Sequence, residues 1–279
     1  MHIVNILMQA HYAIQTCDRS SWQGNDRYCS NDRAELTRKS VTSFLISVKY
    51  LSSKVNAFTQ YVKIFDDNSS TETKQFLNEV AKKFSDTKIK IEVSQTSNTG
   101  IKSSISECYD WLAKNGKGYV YQVQDDYLFE PDALYQMIGI WFHVKEQTDT
   151  DCIVIPYNNP LLWGVNYVNR PTPRTLFLGE KQYWIQTYDT ACTFLTTKDQ
   201  FIQHRELYEK FLSLLDKPAS EITELESISL NHMFTRKGVL GVMPMTSLAL
   251  HMQTETEKDP YIDWKTRWDK VPDLVDINY

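Results

Sequence analysis

The sequence predicts an α/β chain: a mostly parallel sheet flanked by helices. Three observations carry this. Short runs rich in apolar, β-branched and aromatic residues alternate with segments of helical periodicity through residue 126, with no long linker between them. The run Tyr119–Gln124 has the make-up of a strand, follows the turn signal Gly116-Lys117-Gly118, and ends in two adjacent acids, Asp125 and Asp126. Asp66, Asp67, Gly100, Asp125 and Asp126 all fall at the ends of predicted strands, where open parallel sheets bind ligands.

His2 to Met8 reads as a first buried strand, and residues 12–32 as a long polar loop. Asp32 and Glu35 have capping-box spacing and start a helix whose buried face is Val41, Phe44, Leu45 and Val48. Tyr61 to Phe65 is the second strand. Ser69 and Glu72 repeat the capping spacing before a helix that turns Leu77, Val80, Ala81 and Phe84 inward. Ile89, Ile91 and Val93 alternate as a third strand, and Asn98-Thr99-Gly100 breaks the chain before a helix with Ile105, Cys108, Trp111 and Leu112. Pro131 then opens a helical pattern with Leu134, Met137, Ile138 and Trp141 on one face.

The second half is less regular. Cys152–Pro156 reads as a strand, Tyr157–Pro173 as a loop, and Gln182–Thr196 as strand-like around Tyr188-Asp189-Thr190. One helix is expected from about Asp199 to Leu215. Another should follow Ser220, with Ile222, Leu225, Ile228 and Met233 inward, and stop near Gly238. Val239–Met243 and Leu248–His251 are short candidate strands. No internal repeat or low-complexity tract is present.

Thirty basic residues against thirty-five acidic argue against a general binder of nucleic acid or membrane surfaces. No apolar run is long enough to span a bilayer, and residues 1–9 lack the pattern of a signal peptide. Five cysteines without a CxxC pair suit a reducing compartment, so a cytoplasmic location is expected. His11, Cys17 and Cys29 match no common zinc spacing. Seven Trp and sixteen Tyr are a high aromatic load, fit for a core and for stacking on sugars.

Two adjacent acids at the end of a buried strand repel each other and call for a positive partner. A divalent cation chelated with phosphates meets that need, and the plainer alternative is a strand end that caps a helix. Asp66 and Asp67 have the same two readings. Gly100 either lets a nucleotide approach the backbone or makes an ordinary turn. Lys102 stands at a helix start, facing phosphate or solvent. Lys102-Ser103 is not the end of a Walker A loop, because the required glycine is missing.

The run Ile64-Phe65-Asp66-Asp67-Asn68-Ser69-Ser70 resembles the "DDGS" segment of GT-A glycosyltransferases, the inverting family 2 in particular. Asn98-Thr99-Gly100 resembles their Asn-x-Gly turn, and Gln124-Asp125-Asp126 is similar to their DxD-type metal motif. Glu226 to Gly238 resembles their later acidic helix, and the four occur in the family's order over roughly residues 1–251. The resemblance implies a GT-A (Rossmann-like) domain over residues 1–279, with a nucleotide-sugar-binding half (1–126) and an acceptor-binding half (127–279). It also implies transfer of a sugar from a nucleotide-sugar donor, UDP-linked, to a glycan or other hydroxyl acceptor, with inversion and with Mn2+ or Mg2+.

By the same resemblance Asp67 takes a hydrogen bond from the donor's base while Asp66 holds the loop. Asp126 ligates the metal, and Asp125 touches the ribose or supports the metal shell. His251 completes that shell, and its neutral imidazole suits Mn2+ more than Mg2+. The general base is Glu226, counted back from Gly238, with Glu224 and Asp189 as the other candidates. Gln124 departs from the family's Glu and lowers the site's negative charge; Ser227 stands where the family often has Asp. Two alternatives stay open. A nucleotidyltransferase would want a Gly- and Lys/Arg-rich loop just after strand one, which residues 9–16 lack. A non-catalytic carbohydrate- or protein-binding domain would not need an intact acidic rim.

Overall fold

The structure, a computed structural model, describes residues 9–19, 29–158, 174–190, 193–215, 225–226, 228–252 and 259–272. Its centre is β1 (Gln9–Thr16), which pairs in parallel with β2 (Thr59–Asp66) on one side and β4 (Tyr119–Gln124) on the other. This corrects the expected loop at residues 12–32, whose first five residues belong to the strand. The polar residues that mask it are absorbed by partners. His11 stacks on Tyr61 with ring centroids 4.6 Å apart, and the Thr16 hydroxyl donates to Phe65 O at 3.4 Å. The missing Gly-rich loop at residues 9–16 therefore excludes nothing, because those residues are the strand itself. The strand expected at His2–Met8 lies outside the described residues.

From β1 the chain steps outward through β2 to β3 (Ile89–Gln95), then returns to β4 on the other side of β1. Right-handed crossovers place the first two connecting helices on one face and the third on the opposite face. Accordingly α1 (Arg33–Lys54) packs against α2 (Thr71–Phe84), and α3 (Ile101–Asn115) lies against β1 and β4. The reversal makes the carboxyl ends of β1 and β4 the topological switch point, where such sheets leave a crevice. β3 is an outer strand, and its Glu92 pairs with Lys63 across the ladder.

The helix faces read from periodicity are buried as expected in α1, α2 and α4 (Ala133–Thr148). Two caps differ. Asp32 caps α1 by accepting from Ala34 N at 2.9 Å, but Glu35 accepts from the Ser30 hydroxyl instead of closing the box. In α2 the cap is Ser70, not Ser69, with Thr73 N donating to its Oγ at 3.3 Å. Ser69 is turned to the amide of Asp18.

Beyond α4 the sheet continues as β9 (Phe194–Thr197), β6 (Cys152–Val154), β10 (Leu240–Pro244), β8 (Tyr183–Thr187) and β7 (Leu176–Leu178). The sheet thus has nine described strands, four in parallel at one end and mixed beyond β4. Residues 188–190 follow β8 as a loop, so Asp189 is not on a strand edge. The helix expected over 199–215 is two, α5 (Lys198–Gln203) and α6 (Arg205–Leu214), broken at His204. The helix expected after Ser220 is, in the described part, a set of turns before the one-turn α7 (His232–Thr235). Helical spacing therefore does not govern it, and Ile228, expected inward, is exposed while Met233 is buried. No described helix is long and apolar enough to cross a membrane.

A two-stranded ladder stands beside the sheet. β5 (Tyr127–Phe129), immediately after the acid pair, runs antiparallel to β11 (Ala249–His251). Its outer face is covered by α8 (Trp264–Lys270). Leu128 and Leu250, directly opposite in the ladder, join Leu36, Met252, Trp264, Trp268 and Val271 in a core separate from the main one. Trp264 is fully buried there. Trp264→Ala is expected to lower stability in urea unfolding by about 3–5 kcal/mol, the scale for truncating a buried aromatic. An unchanged midpoint would show that this second core does not unfold with the rest.

Candidate active site at the carboxyl rim

Asp125 sits where β4 leaves the sheet at the switch point, buried, and its carboxylate is bound from three directions. Cys17 N at the end of β1 donates to Oδ2 at 2.8 Å and the Thr37 hydroxyl donates to the same oxygen at 2.6 Å. The Arg33 guanidinium lies 3.6 Å from Oδ1 and also donates to Cys17 O at 3.2 Å. Burial pushes this carboxyl above its ordinary value; Asp126 pushes the same way, while Arg33 and the two donors pull it back. Asp125 thus faces inward and ties β1, β4 and the first turn of α1 together.

Asp126, the next residue, takes the opposite orientation. Its Oδ2 is 3.4 Å from Nε2 of His251. The β5–β11 ladder sets this pairing: Tyr127 lies directly opposite His251, and their rings stack at 4.6 Å with 6° between planes. Met252 N donates to Asp126 O at 2.8 Å and closes the ladder at this end. Two residues far apart in sequence are brought together, His251 partly exposed and Asp126 buried.

The β2 end forms a second group. Asp66 is buried and accepts from Gln95 Nε2 at 2.6 Å, from Ser69 N at 3.3 Å and from the Thr16 hydroxyl at 3.4 Å, so it holds the loop. Asp67 donates its amide to Thr16 O and accepts from Gly100 N at 2.9 Å. Burial lifts the Asp67 carboxyl; the Gly100 amide opposes this, and Asp66 and Glu107 add to it. Gly100 adopts φ +109°, a conformation side-chain-bearing residues rarely adopt, and this aims its amide at Asp67. Lys102 follows in the first turn of α3, half-buried.

Cys17 and Asp18 join the two groups, and the sequence reading missed both. Cys17 binds Asp125 through its amide. Its thiol is pushed up mainly by burial, with Asp125 and Asp67 adding to the shift. Asp18 accepts from Ser70 N at 2.9 Å, and its carboxyl falls below the ordinary range: burial raises it, but hydrogen bonds from Ser70 and Thr73 outweigh that. The missing signal was the end of β1. With the strand placed at 9–16, residues 17 and 18 become rim positions by register.

The base candidates are placed differently. Glu224 lies outside the described residues. Glu226 is half-buried in the turn before α7, and its carbonyl accepts from Asn231 N at 2.8 Å. Asn231 reaches Asp189 with its amide nitrogen and accepts from Thr190 N at 2.9 Å, so Glu226 and Asp189 are parts of one bonded unit. β8 runs antiparallel to β4, so its last residue, Thr187, lies toward the amino ends of the parallel strands; by Thr193, whose hydroxyl donates to Gln122 O at 3.2 Å, the chain is back beside the carboxyl half of β4, and Asp189 falls between these two positions in the sequence. Among the described residues no three His, Cys, Asp or Glu side chains form a complete metal-binding group.

The fold is a mixed α/β fold whose large, largely parallel sheet is flanked by helices and whose acids gather at the carboxyl rim. No protein-family model matches the chain, and no curated protein matches it. Solved structures similar to it include S. aureus TarS, at 15% identity and a TM-score of 0.42 over 71% of this chain. The chain spans only 30% of the length of that TarS chain. A UDP-glucose pyrophosphorylase complexed with UDP-glucose matches at 11% identity and a TM-score of 0.46, over 94% of this chain and 98% of its own. A 4-diphosphocytidyl-2C-methyl-D-erythritol synthase from Anaerococcus prevotii matches at 13% identity and 0.41, over 88% and 93%. At these scores the likenesses do not bear on what the chain does.

Burial of Asp125 gives a pH test. Its folded carboxyl titrates above the ordinary value of 3.8, so as pH rises the unfolded chain releases this proton first. The contribution to stability through this group is therefore largest at low pH and falls as pH rises from the ordinary value through the raised one. In urea melts at a series of pH values, the stability of the wild type relative to Asp125→Asn should fall across that window and level off above it. A difference independent of pH would show that Asp125 ionises normally.

Proposed function

We propose that the chain is a metal-dependent glycosyltransferase that moves a sugar from a nucleotide-sugar, UDP-linked, to an acceptor hydroxyl with inversion. The observation that carries this is the Asp126–His251 pair, 3.4 Å apart beside the switch point. One carboxylate and one imidazole form only part of a coordination shell. Mg2+ sites of this kind take the remaining oxygens from substrate phosphates and water, so the donor set fits an ion delivered with a nucleotide diphosphate. The imidazole favours Mn2+. Bound there, the ion would stabilise charge on the departing diphosphate.

The chain's own residues divide the remaining work. Asp67, oriented by Gly100 N, offers its carboxylate to the base of the donor, and Asp66 keeps that loop in place. Asp125 acts by position, holding the turn from which Asp126 projects. Lys102, at the start of α3, faces the phosphates. The proton of the acceptor hydroxyl goes to Glu226 or to Asp189, which Asn231 holds together.

Asp126→Ala should abolish metal-dependent binding of UDP in calorimetry while the protein stays folded. His251→Ala should weaken Mn2+ more than Mg2+. UDP affinity with Mn2+ that survives Asp126→Ala would overturn the reading, as would a chain that leaves UDP-sugars intact and instead releases pyrophosphate from UTP and a sugar 1-phosphate. The base is decided separately. Glu226→Gln should keep donor binding and slow transfer by roughly 10²-fold or more, the scale of losing a general base. If Glu226→Gln keeps its rate and Asp189→Asn loses it, the base is Asp189.

A further inference from the structure

The β5–β11 ladder has a second end. Opposite the one carrying Asp126 and His251, Glu130 N donates to Leu248 O at 2.9 Å, and there a groove of about 640 Å3 opens. Its walls are the start of α4, the turn between β7 and β8, the loop from β10 to β11, and the first turns of α8. That volume is in the range of small-ligand sites.

The lining is polar and its charges balance. Glu130, Asp132 and Asp263 contribute three acids, and Lys181, Arg267 and Lys270 three bases. The acids are fixed by partners in the walls: Arg267 Nε is 3.0 Å from Glu130, Lys181 pairs with Asp132, and Asp263 caps α8 by accepting from Thr266 N at 3.1 Å. Such a groove has no net charge with which to select a phosphate. What it presents is a row of oriented planar groups. Gln182 is anchored through Oε1 by Thr246 N at 2.8 Å and donates to Gln136 Oε1 at 3.1 Å. At the edge stands Tyr261, 93% exposed, a bare aromatic face on a residue type usually half-buried.

We propose that this groove binds an uncharged oligosaccharide. Its hydroxyls would bond the fixed amides and carboxylates, and the C–H face of one sugar ring would lie on Tyr261. Three residues of ladder separate the groove from the Asp126–His251 pair, about 10 Å at the rise of a strand, so a seated glycan extends alongside the candidate active site. Binding here requires no transfer chemistry, and it stands or falls apart from the glycosyltransferase reading.

The test is a printed array of neutral and anionic oligosaccharides probed with the full chain, followed by calorimetric titration of the strongest binder. A neutral glycan should be retained, with its Kd weakened at least tenfold in Tyr261→Ala and in Gln182→Ala, and unchanged in Asp126→Ala. Tyr261 is too exposed for its loss to unfold the protein, and equal melting temperatures will confirm that. Three results would overturn the proposal: no glycan retained, only anionic glycans retained, or a binder indifferent to both groove variants. A binder lost in Asp126→Ala alone would place the glycan at the rim instead.

Discussion

A single buried carboxylate organises this molecule. Asp125 is buried, and an isolated charge in its place would cost several kcal/mol. It is held by an amide from β1, a hydroxyl and a guanidinium from α1, and the backbone of β4. Those are the elements that meet at the switch point of the sheet. Their bonds to one small group fix the distance between the two strand ends and the entry of the first helix. With Asp125 turned inward, Asp126 must turn the other way. One acid is bound within the fold, and its neighbour is left beside His251.

Much of this was legible in the sequence where a rule has a period. The α1, α2 and α4 faces are buried as their spacing requires, and the strands ending in Asp66 and Asp125 stand where Val, Ile and Tyr placed them. β1 was hidden because it is central and polar at once. His11 and Thr16 are unlike strand-core residues until Tyr61 and Asp66 are brought beside them. That misplacement concealed Cys17 and Asp18, which lie next to the strand end. The region around Glu226 misled for the opposite reason: its residues have helical spacing, but the backbone turns on Asn231. The resemblance set His251 beside Asp126, where the structure has it at 3.4 Å, but its local pattern shows only a position late in a strand. Its closeness to Asp126 follows from the register of a three-residue ladder, which no local pattern encodes.

The two acid pairs also show how one motif type can carry unequal roles. In each, the first residue is a tether: Asp66 to Gln95 and Ser69, Asp125 to Cys17 and Thr37. In each, the second is nearer the rim: Asp67 faces Gly100, and Asp126 faces His251. The repetition follows from strand geometry. Successive residues leaving a strand point to opposite sides, so two adjacent acids meet different partners, although all four are buried.

The position of α8 bears on when the site comes into being. During synthesis the amino-terminal part folds first, and the parallel strands through β4 can form while the rest is still being made. The Asp126 turn then exists without its partner strand or its outer cover. His251 arrives with β11, and the ladder gains its backing only when Trp264, Trp268 and Val271 have been added, on the order of ten seconds after Asp126 at usual rates of elongation. A nascent chain therefore carries Asp126 before His251 stands beside it. Any ligand that needs both Asp126 and His251 is met only by a protein whose late helix is already in place.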